Sequence, residues 1–218
     1  MNLRPAQRSR RRLVTAAASA LLMLPLWSAQ AAPPKRDELC FGERATHTGS
    51  AGETVVGTPE ADVIIGGGRV LAYAGNDLIC DASYVLGGDG DDRIQLPNGG
   101  TANGEAGNDE LIALGDPGGT PATMLGGDGD DVIYGATMGE IVYGGAGNDV
   151  IRSGGGRDRV YAGEGNDQVF GGPGRDRIFG GPGNDHLDGG PGRDRGYAGP
   201  GNDTCRSIEK RGSCRRQR

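Results

Sequence analysis

The feature that most constrains this chain is a nine-residue repeat in its second half. One unit reads Gly-Gly-Ala-Gly-Asn-Asp-Val-Ile-Arg over residues 144–152, and further units of this pattern follow it. Self-similarity at a short fixed period is the signature of a solenoid, in which each unit packs only against its neighbours. The aspartates of the repeat fall on a strict nine-residue grid, with Glu140 at the one remaining grid point: Asp131, Asp149, Asp158, Asp167, Asp176, Asp185, Asp194 and Asp203.

Each unit divides into a glycine-rich turn of six residues and a strand of three residues. The middle residue of such a strand points to one face of the sheet, and its neighbours point to the other. Apolar residues occupy this middle position in successive units, at Ile133, Val142, Ile151, Val160, Val169, Ile178 and Leu187. Glycine makes up 44 of the 218 residues, but it does not recur at every third position, which excludes a collagen helix. With two units in each turn, the repeat predicts an all-β fold, a solenoid of parallel strands that we call the roll.

The acidic residues of the repeat need a cationic partner. Residues 32–205 hold 12 basic and 28 acidic residues, a net charge of −16. Because a turn of the predicted roll contains two units, every second loop stacks along the same edge. Each Asp therefore lies beside another Asp at about the strand spacing of 4.8 Å. Calcium takes about six to eight oxygen ligands in flexible geometry, so we expect several Ca²⁺ ions between the turns.

The first half of the chain carries the same motif at irregular steps. Its motif aspartates are Asp62, Asp77, Asp92 and Asp109, and a longer step leads from Asp109 to Asp131. Each step is close to the length of two units, so we interpret each as one full turn with one motif loop and one variable loop. Edge A then carries nine aspartates from Asp62 to Asp203, and the grid aspartates between them lie on edge B. Edge B has three, preceded by Glu140: Asp158, Asp176 and Asp194. These twelve aspartates are the predicted calcium ligands, with an upper bound of ten sites between successive turns.

The two edges of the predicted roll differ in sequence. Edge A repeats Gly-Asn-Asp, whereas edge B repeats Gly-Arg-Asp-Arg. The outward face beside edge B carries aromatic and basic residues that recur once in every two units: Tyr143, Arg159, Tyr161, Arg177, Phe179, Arg195 and Tyr197. This aromatic–arginine face could bind an anionic or sugar polymer through stacking and cation–π contacts. Alternatively, the rings form a cross-strand ladder that stabilises the sheet, while the arginines offset neighbouring aspartates.

The pattern Gly-Gly-x-Gly-x-Asp-x-apolar-x, as in residues 171–179, resembles the RTX or haemolysin-type calcium-binding repeat. The resemblance covers about residues 57–206 and is most regular over 126–206. It implies a parallel β-roll in which the aspartates and nearby loop carbonyls bind calcium between successive turns. The stretch Cys40-Phe41-Gly42, with Ala45-Thr46 and Val56-Gly57-Thr58-Pro59, is similar to the start of small secreted actinobacterial members. RTX toxins and proteases carry a separate catalytic or pore-forming module, so those activities are not implied for this chain.

The first residues have the pattern of an export signal. Residues 1–31 hold five arginines and no acid, then an apolar run over 13–27, then Ala29-Gln30-Ala31. This order predicts a cleavable secretory signal. Residues 9–14 also resemble a twin-arginine signal, and the choice between general secretion and twin-arginine export stays open. We expect a secreted, extracellular protein with no transmembrane span. Its predicted parts are a signal peptide (1–31), an N-terminal cap segment (32–56), irregular roll turns (57–125), a regular roll (126–206) and a basic tail (207–218).

The four cysteines all follow the predicted signal: Cys40, Cys80, Cys205 and Cys214. An even number of cysteines in an exported chain predicts disulfides, and four cysteines allow three connectivities. We favour the sequential pairing, Cys40 with Cys80 and Cys205 with Cys214.

The search for catalytic residues gives no candidate. The two histidines, His47 and His186, have no nucleophile elbow or metalloprotease motif near them. The glycine-rich loops lack a Walker lysine and are acidic, so a phosphate or nucleic-acid partner is not expected. We predict no enzymatic activity. The predicted function is that of a secreted calcium-binding roll that folds on binding extracellular calcium. The alternative is a module that binds polysaccharide of the cell envelope or matrix through the aromatic–arginine face.

Overall fold

Two parallel sheets wound around a shared core form the fold, and a short antiparallel hairpin precedes them, β1 (Leu39–Cys40) and β2 (Glu43–Arg44). The computed structural model describes residues 39–115, 118–212 and 215–216, with the backbone alone for 210–212 and 215–216. These residues lie in one compact unit, and none of them forms a helix long and apolar enough to cross a membrane. The predicted signal, residues 1–31, lies outside them.

The first sheet holds 11 strands: β3 (His47–Gly49), β5 (Val63–Gly66), β7 (Leu78–Cys80), β9 (Arg93–Leu96), β11 (Glu110–Ala113), β13 (Val132–Tyr134), β15 (Val150–Arg152), β17 (Gln168–Phe170), β19 (His186–Asp188), β21 (Thr204–Arg206) and β23 (Arg215–Arg216). The second sheet holds 10 strands: β4 (Thr54–Val56), β6 (Arg69–Ala74), β8 (Tyr84–Asp89), β10 (Gly100–Ala106), β12 (Ala122–Asp128), β14 (Ile141–Ala146), β16 (Arg159–Glu164), β18 (Arg177–Phe179), β20 (Arg195–Tyr197) and β22 (Lys210–Gly212). Successive strands alternate between the two sheets, so each turn adds one strand to each. The predicted parallel β-roll is confirmed, with about nine turns. Its rungs begin before residue 57, at β3 and β4, and continue after residue 206, at β22 and β23.

The strand register establishes that each irregular step is one turn. In the regular half, Ile133 pairs with Ile151, two units further along the chain. In the first half, β7 pairs with β9 and β11 pairs with β13 in parallel. The short step from Asp77 to Asp92 and the long step from Asp109 to Asp131 therefore both complete one turn. The difference in length is accommodated in the loops that leave the first sheet.

The apolar column predicted from the sequence lies inside the roll, and all seven of its side chains are fully buried. The column is interrupted at Gly196, where a side chain would collide with Ile208. Ile208 comes from the following turn and is 4% exposed. It therefore fills the space that Gly196 leaves and keeps the core closed near its end.

The hairpin β1–β2 is tied to the outer side of the first sheet by a disulfide. Cys40 is bonded to Cys80 of β7, with their Cα atoms 5.7 Å apart. The guanidinium of Arg93 lies 4.1 Å from the ring centroid of Phe41, which adds a cation–π contact. This half of the favoured pairing is confirmed. The other half, Cys205 with Cys214, lies outside the described residues because Cys214 does.

Candidate metal centre

Two columns of buried carboxylates run along the two edges of the roll. Each motif aspartate is the residue immediately before a strand, so the aspartates of edge A precede strands of the first sheet and those of edge B precede strands of the second. All twelve predicted ligands are at most 5% exposed. The parallel register stacks each of them on its counterpart in the next turn, and the two edges contain the residues assigned to them from the sequence.

One oxygen of each carboxylate holds the column together. The backbone N–H of Asp131 donates to Oδ1 of Asp149 at 2.9 Å, and the N–H of Asp149 donates to Oδ1 of Asp167 at 2.9 Å. The same bond links all eight pairs of neighbouring turns on edge A. Edge B has three such bonds, the first of them from Glu140 to Asp158. The aspartate is thus required in every turn for structural reasons as well.

In every column carboxylate except Asp62, the other oxygen has no partner among the described residues. Among the described residues, these buried oxygens accept no hydrogen bond: Oδ2 of Asp77, Asp92, Asp109, Asp131, Asp149, Asp158, Asp167, Asp176, Asp185, Asp194 and Asp203, and Oε2 of Glu140. Native proteins leave few buried polar atoms unsatisfied. Removing an ionised carboxylate from water without a counter-charge costs several kcal/mol. Two columns of such atoms fit cations held between the turns.

The unpaired oxygens converge with backbone carbonyls on spaces that glycine leaves open. A Cβ atom added to Gly171 would lie 2.8 Å from Oδ2 of Asp176 and 2.8 Å from the carbonyl oxygen of Gly189, in the next turn. The equivalent pair of oxygens surrounds the same point beside Gly126 and beside Gly144. Carboxylate and carbonyl oxygens are the ligands that calcium prefers. The donor set therefore fits a hard divalent cation shared between turns.

The residue five positions before the aspartate divides the loops into two kinds. In most loops this residue is glycine, but Ala72, Ala162 and Ala198 replace it before Asp77, Asp167 and Asp203. These three alanines are fully buried. Their methyl groups occupy the position that stays open beside the glycines. Before Asp158, on edge B, the residue at this position is Ser153, whose hydroxyl donates to the carbonyl of Gly171 at 2.9 Å.

Asp62 differs from the other predicted ligands because protein donors satisfy both of its oxygens. Oδ2 accepts from the backbone N–H of Thr58 at 2.7 Å and from its hydroxyl at 3.0 Å. Oδ1 accepts from the hydroxyl of Thr46 at 3.1 Å, and His47 Nδ1 lies 3.2 Å away. Burial opposes ionisation, but these hydrogen bonds outweigh it and lower the pKa of Asp62. At the first turn of edge A, hydrogen-bond donors of the protein therefore take the place of a cation beside the carboxylate.

Glu140 belongs to the edge B column, although it was not among the predicted ligands. It is 1% exposed, and its Oε2 has no partner among the described residues. Its backbone N–H donates to Oδ1 of Asp158 at 2.9 Å, as the aspartates do. The sequence signals this residue through its place on the nine-residue grid, but a search restricted to Asp misses it.

Burial raises the pKa values of most of the column carboxylates. It raises the pKa of Asp158 to about 8, and the charges of Asp176 and Glu140 add to the effect. Burial also raises the pKa of Asp92 and Asp131 to about 7, with help from neighbouring carboxylates. For six others burial raises the pKa to about 6: Asp77, Asp109, Asp149, Asp167, Asp176 and Asp185. A column without cations therefore resists full ionisation at neutral pH.

Within the described residues, no three His, Cys, Asp or Glu side chains converge into a side-chain metal cluster. This is expected of the geometry above, because each loop supplies a single carboxylate to the column. The remaining ligands have to be backbone carbonyls of the glycine-rich turns, an arrangement that calcium accepts and that metals preferring nitrogen or sulfur do not.

Comparison with known proteins agrees with this geometry. The family model of the RTX calcium-binding nonapeptide repeat matches four copies, at residues 47–68, 123–137, 134–169 and 170–205. The chain belongs to the RTX calcium-binding repeat family. No curated protein matches the chain, and no solved structure matches it. Three aspartates of the RTX column lie between the matched copies, at Asp77, Asp92 and Asp109, yet their hydrogen bonds are those of the matched turns.

The aromatic residues beside edge B of the RTX roll stack on one another. The ring centroids of Tyr143, Tyr161, Phe179 and Tyr197 follow at 5.0, 4.9 and 5.1 Å, with neighbouring planes within 9° of parallel. Each inner ring therefore has both faces covered by its neighbours. In the described part of the chain, the cation–π contacts involve Arg69, Arg93 and Arg152 and not the arginines of this face. The geometry is that of a ladder that stabilises the second sheet.

The two histidines make ordinary polar contacts. Nδ1 of His186 lies 2.7 Å from the hydroxyl of Thr204, its neighbour in the next strand. His47 lies beside Asp62 in the first turn. Neither contact places a nucleophile next to a histidine that an acid orients.

Proposed function

We propose that this chain is a secreted calcium-binding protein whose β-roll closes when Ca²⁺ binds between its turns. The observation that carries the proposal is the set of 12 buried carboxylate oxygens that lack a partner among the described residues. The proposed ligands are the aspartates of both columns other than Asp62, with Glu140 added to edge B and loop carbonyls completing each site. Bound calcium would supply the positive charge that lets these carboxylates stay ionised inside the fold.

The energetic argument favours coupling between binding and folding. An unsatisfied buried polar group costs about 1–3 kcal/mol, and more if it is charged. The 12 unpaired oxygens therefore carry a cost comparable with, or larger than, the ~5–15 kcal/mol by which folded domains are stable. Because ions bind the closed roll and not the open chain, their binding free energy becomes folding free energy.

The two kinds of loop predict that the sites are unequal. Where glycine lies five positions before the aspartate, the space between the carboxylate and the carbonyl is open, as beside Gly126 and Gly144. Where alanine stands, as at Ala162, a methyl group occupies that space. We propose that calcium fills the glycine loops first, so that fewer ions bind tightly than there are aspartates.

Circular dichroism of residues 32–218, which we call the exported chain, tests this function. The chain is recorded in excess chelator, then titrated with millimolar calcium, with magnesium as the matched control because it prefers a smaller, rigid octahedral site. We expect a gain of β-structure with calcium and little with magnesium. Equal β-structure in chelator and in calcium would refute the proposal.

Two features of the chain support an extracellular setting for this function. The Cys40–Cys80 disulfide requires an oxidising compartment. The basic, apolar and small-residue segments of residues 1–31 follow the order of an export signal. Free calcium outside cells would then be the trigger for closure. We assign no catalytic role, in keeping with a repeat family whose general role is calcium binding.

The alternative function, in which the aromatic rings bind a polysaccharide, has less support. Sugar rings stack on exposed aromatic faces, whereas Tyr161 and Phe179 have their faces covered by neighbouring rings. A pull-down with cell-wall polysaccharide, comparing the native chain with the double variant Tyr161→Ala and Phe179→Ala, separates the two. Retention of the native chain with loss in the variant would restore a role for the rings.

A further inference from the structure

A groove on edge B gathers arginines from three consecutive turns. It has a volume of about 290 Å³. We call it the arginine groove, and its basic lining is Arg157, Arg159, Arg175, Arg177, Arg193 and Arg195. The buried column residues Asp158 and Asp176 also line it. The groove thus lies directly over the edge B column of the proposed calcium sites.

Two straight rows of arginine follow from the Gly-Arg-Asp-Arg loops. The outer row stands in the loops, where parallel bridges pair Gly156 with Gly174 and Gly174 with Gly192, one residue before each arginine. The inner row stands at the first position of successive strands, where Arg159 pairs with Arg177 and Arg177 with Arg195. Like charges therefore repeat along each row at about the strand spacing of 4.8 Å.

The groove concentrates the positive charge of an acidic protein. Residues 32–205 hold 12 basic residues against 28 acidic ones, and six of the 12 are the groove arginines. Of these six, within the described residues, only Arg193 has a carboxylate within ion-pair reach, that of Glu209 at 3.9 Å. Arg93, outside the groove, shows the contrast, because Glu110 on the neighbouring strand forms a close ion pair with it. Two repulsive rows with so little counter-charge indicate that the anion comes from outside the chain.

The carboxylates below do not neutralise the rows. Among the ion pairs of the described residues, none joins Asp158 or Asp176 to an arginine of the groove. Oδ2 of both residues lacks a hydrogen-bond partner among the described residues, and that of Asp176 faces the calcium space beside Gly171. Calcium bound there would add positive charge under the rows. The need for an external anion is therefore greater in the calcium-bound roll.

We propose that the arginine groove binds a linear acidic polysaccharide along the roll axis. Three equivalent turns suit a polymer whose anionic groups repeat, and arginine matches carboxylate and sulfate groups with paired hydrogen bonds. The exposed edges of Tyr161 and Tyr197 border the inner row and offer hydroxyl groups to a polyhydroxylated chain. Single-stranded nucleic acid is less suited, because it needs open aromatic faces on which bases can stack, and these faces are covered.

This inference rests on the proposed function in one respect, because the groove exists only in the closed roll. Binding of the acidic polymer therefore requires calcium, and it weakens as salt screens the exposed charges. The calcium response itself does not require the polymer, so the two proposals fail separately.

The test uses the exported chain in calcium and three polymers with one backbone: dextran, carboxymethyl dextran and dextran sulfate, together with oligo(dT). The groove variant is Arg157→Gln, Arg175→Gln, Arg193→Gln. The control variant removes the same charge elsewhere, by Arg44→Gln, Arg69→Gln, Arg206→Gln. We expect the native chain to bind the two charged dextrans and not dextran. The groove variant should bind them at least about tenfold more weakly, and the control variant should bind within about twofold of the native chain.

Three outcomes overturn the proposal: no binding of either charged dextran, an equal loss in the groove and control variants, or oligo(dT) bound as tightly as dextran sulfate. Circular dichroism of each variant separates a lost site from a lost fold. If the glutamine variant does not fold in calcium, replacing the same three arginines by lysine keeps the charge and removes the paired hydrogen bonds. That variant should bind the charged dextrans severalfold more weakly, and native-like affinity in it would count against the proposal.

Discussion

Replacing buried column aspartates by asparagine should allow the roll to fold without calcium. The perturbation is Asp92→Asn, Asp109→Asn, Asp131→Asn and Asp149→Asn, on four consecutive turns of edge A. Asparagine keeps Oδ1, which accepts the N–H of the preceding turn, as Asp149 does from Asp131 at 2.9 Å. It replaces the unpaired Oδ2 by an NH₂ group. That group faces the same space as a backbone carbonyl of the next turn, to which it can donate.

The expected magnitude follows from the number of oxygens relieved. Each of the four positions carries a buried oxygen that accepts no hydrogen bond in the described part of the chain. Relieving one is worth about 1–3 kcal/mol, so four are worth about 4–12 kcal/mol. This is comparable with the whole net stability of a domain, ~5–15 kcal/mol. The same change removes four proposed calcium ligands, so its effect in calcium has the opposite sign.

The assay is circular dichroism with urea unfolding, in chelator and in calcium. The matched control replaces four exposed aspartates of the same turns by asparagine, Asp89, Asp91, Asp128 and Asp130, which changes the net charge equally. We expect the buried variant to gain β-structure in chelator and to lose calcium affinity. The exposed variant should do neither. The reasoning fails if the buried variant stays as unfolded in chelator as the native chain, or if the exposed variant gains as much.

Three further predictions concern the pH dependence of stability, the space beside Gly144 and the disulfide of the hairpin. Burial raises the pKa of nine column aspartates to about 6 to 8, above the unfolded value. The metal-free roll should therefore gain stability as pH falls from 8 to 5, and a flat or opposite trend in urea unfolding with chelator would contradict the assignment. Gly144→Ala places a methyl group against Asp149 Oδ2, as Ala162 does natively beside Asp167. It should weaken calcium binding by calorimetry, and unchanged affinity and stoichiometry would place the ion elsewhere. Breaking the Cys40–Cys80 disulfide with Ser at both positions should cost about 2–5 kcal/mol in calcium. A thermal midpoint equal to that of the native chain would refute this.

The sequence predicts the fold well because one residue type carries both the repeat and the register. Each motif aspartate bonds through Oδ1 to the backbone of the preceding turn, so its position marks one turn whatever the loop length. This is why the short step from Asp77 to Asp92 and the long step from Asp109 to Asp131 could be interpreted as equal turns. The apolar residue two positions later then has to point inward, because side chains alternate along a strand.

The parts of the site that the sequence did not predict depend on contacts between turns. Asp62 matches the motif spacing, yet Thr58 and Thr46 satisfy its oxygens, and nothing in the repeat reveals those partners. Glu140 departs from the motif but reaches the same column with a longer side chain. The ladder of stacked rings, by contrast, was one of the two alternatives predicted from the spacing. The two rows of the arginine groove follow from the register of successive turns.

The two edges of the roll share one calcium motif but differ in their electrostatics. On edge A no basic residue precedes a motif aspartate, and Asn148, Asn166 and Asn184 form a ladder of side-chain hydrogen bonds. On edge B the same position is arginine, and a second arginine follows the aspartate. Positive charge next to a site lowers its affinity for a cation. We infer that, among the glycine loops, those of edge A bind calcium first and close the roll. An anion held in the arginine groove would then raise the affinity of edge B, because the coupling between two ligands is reciprocal.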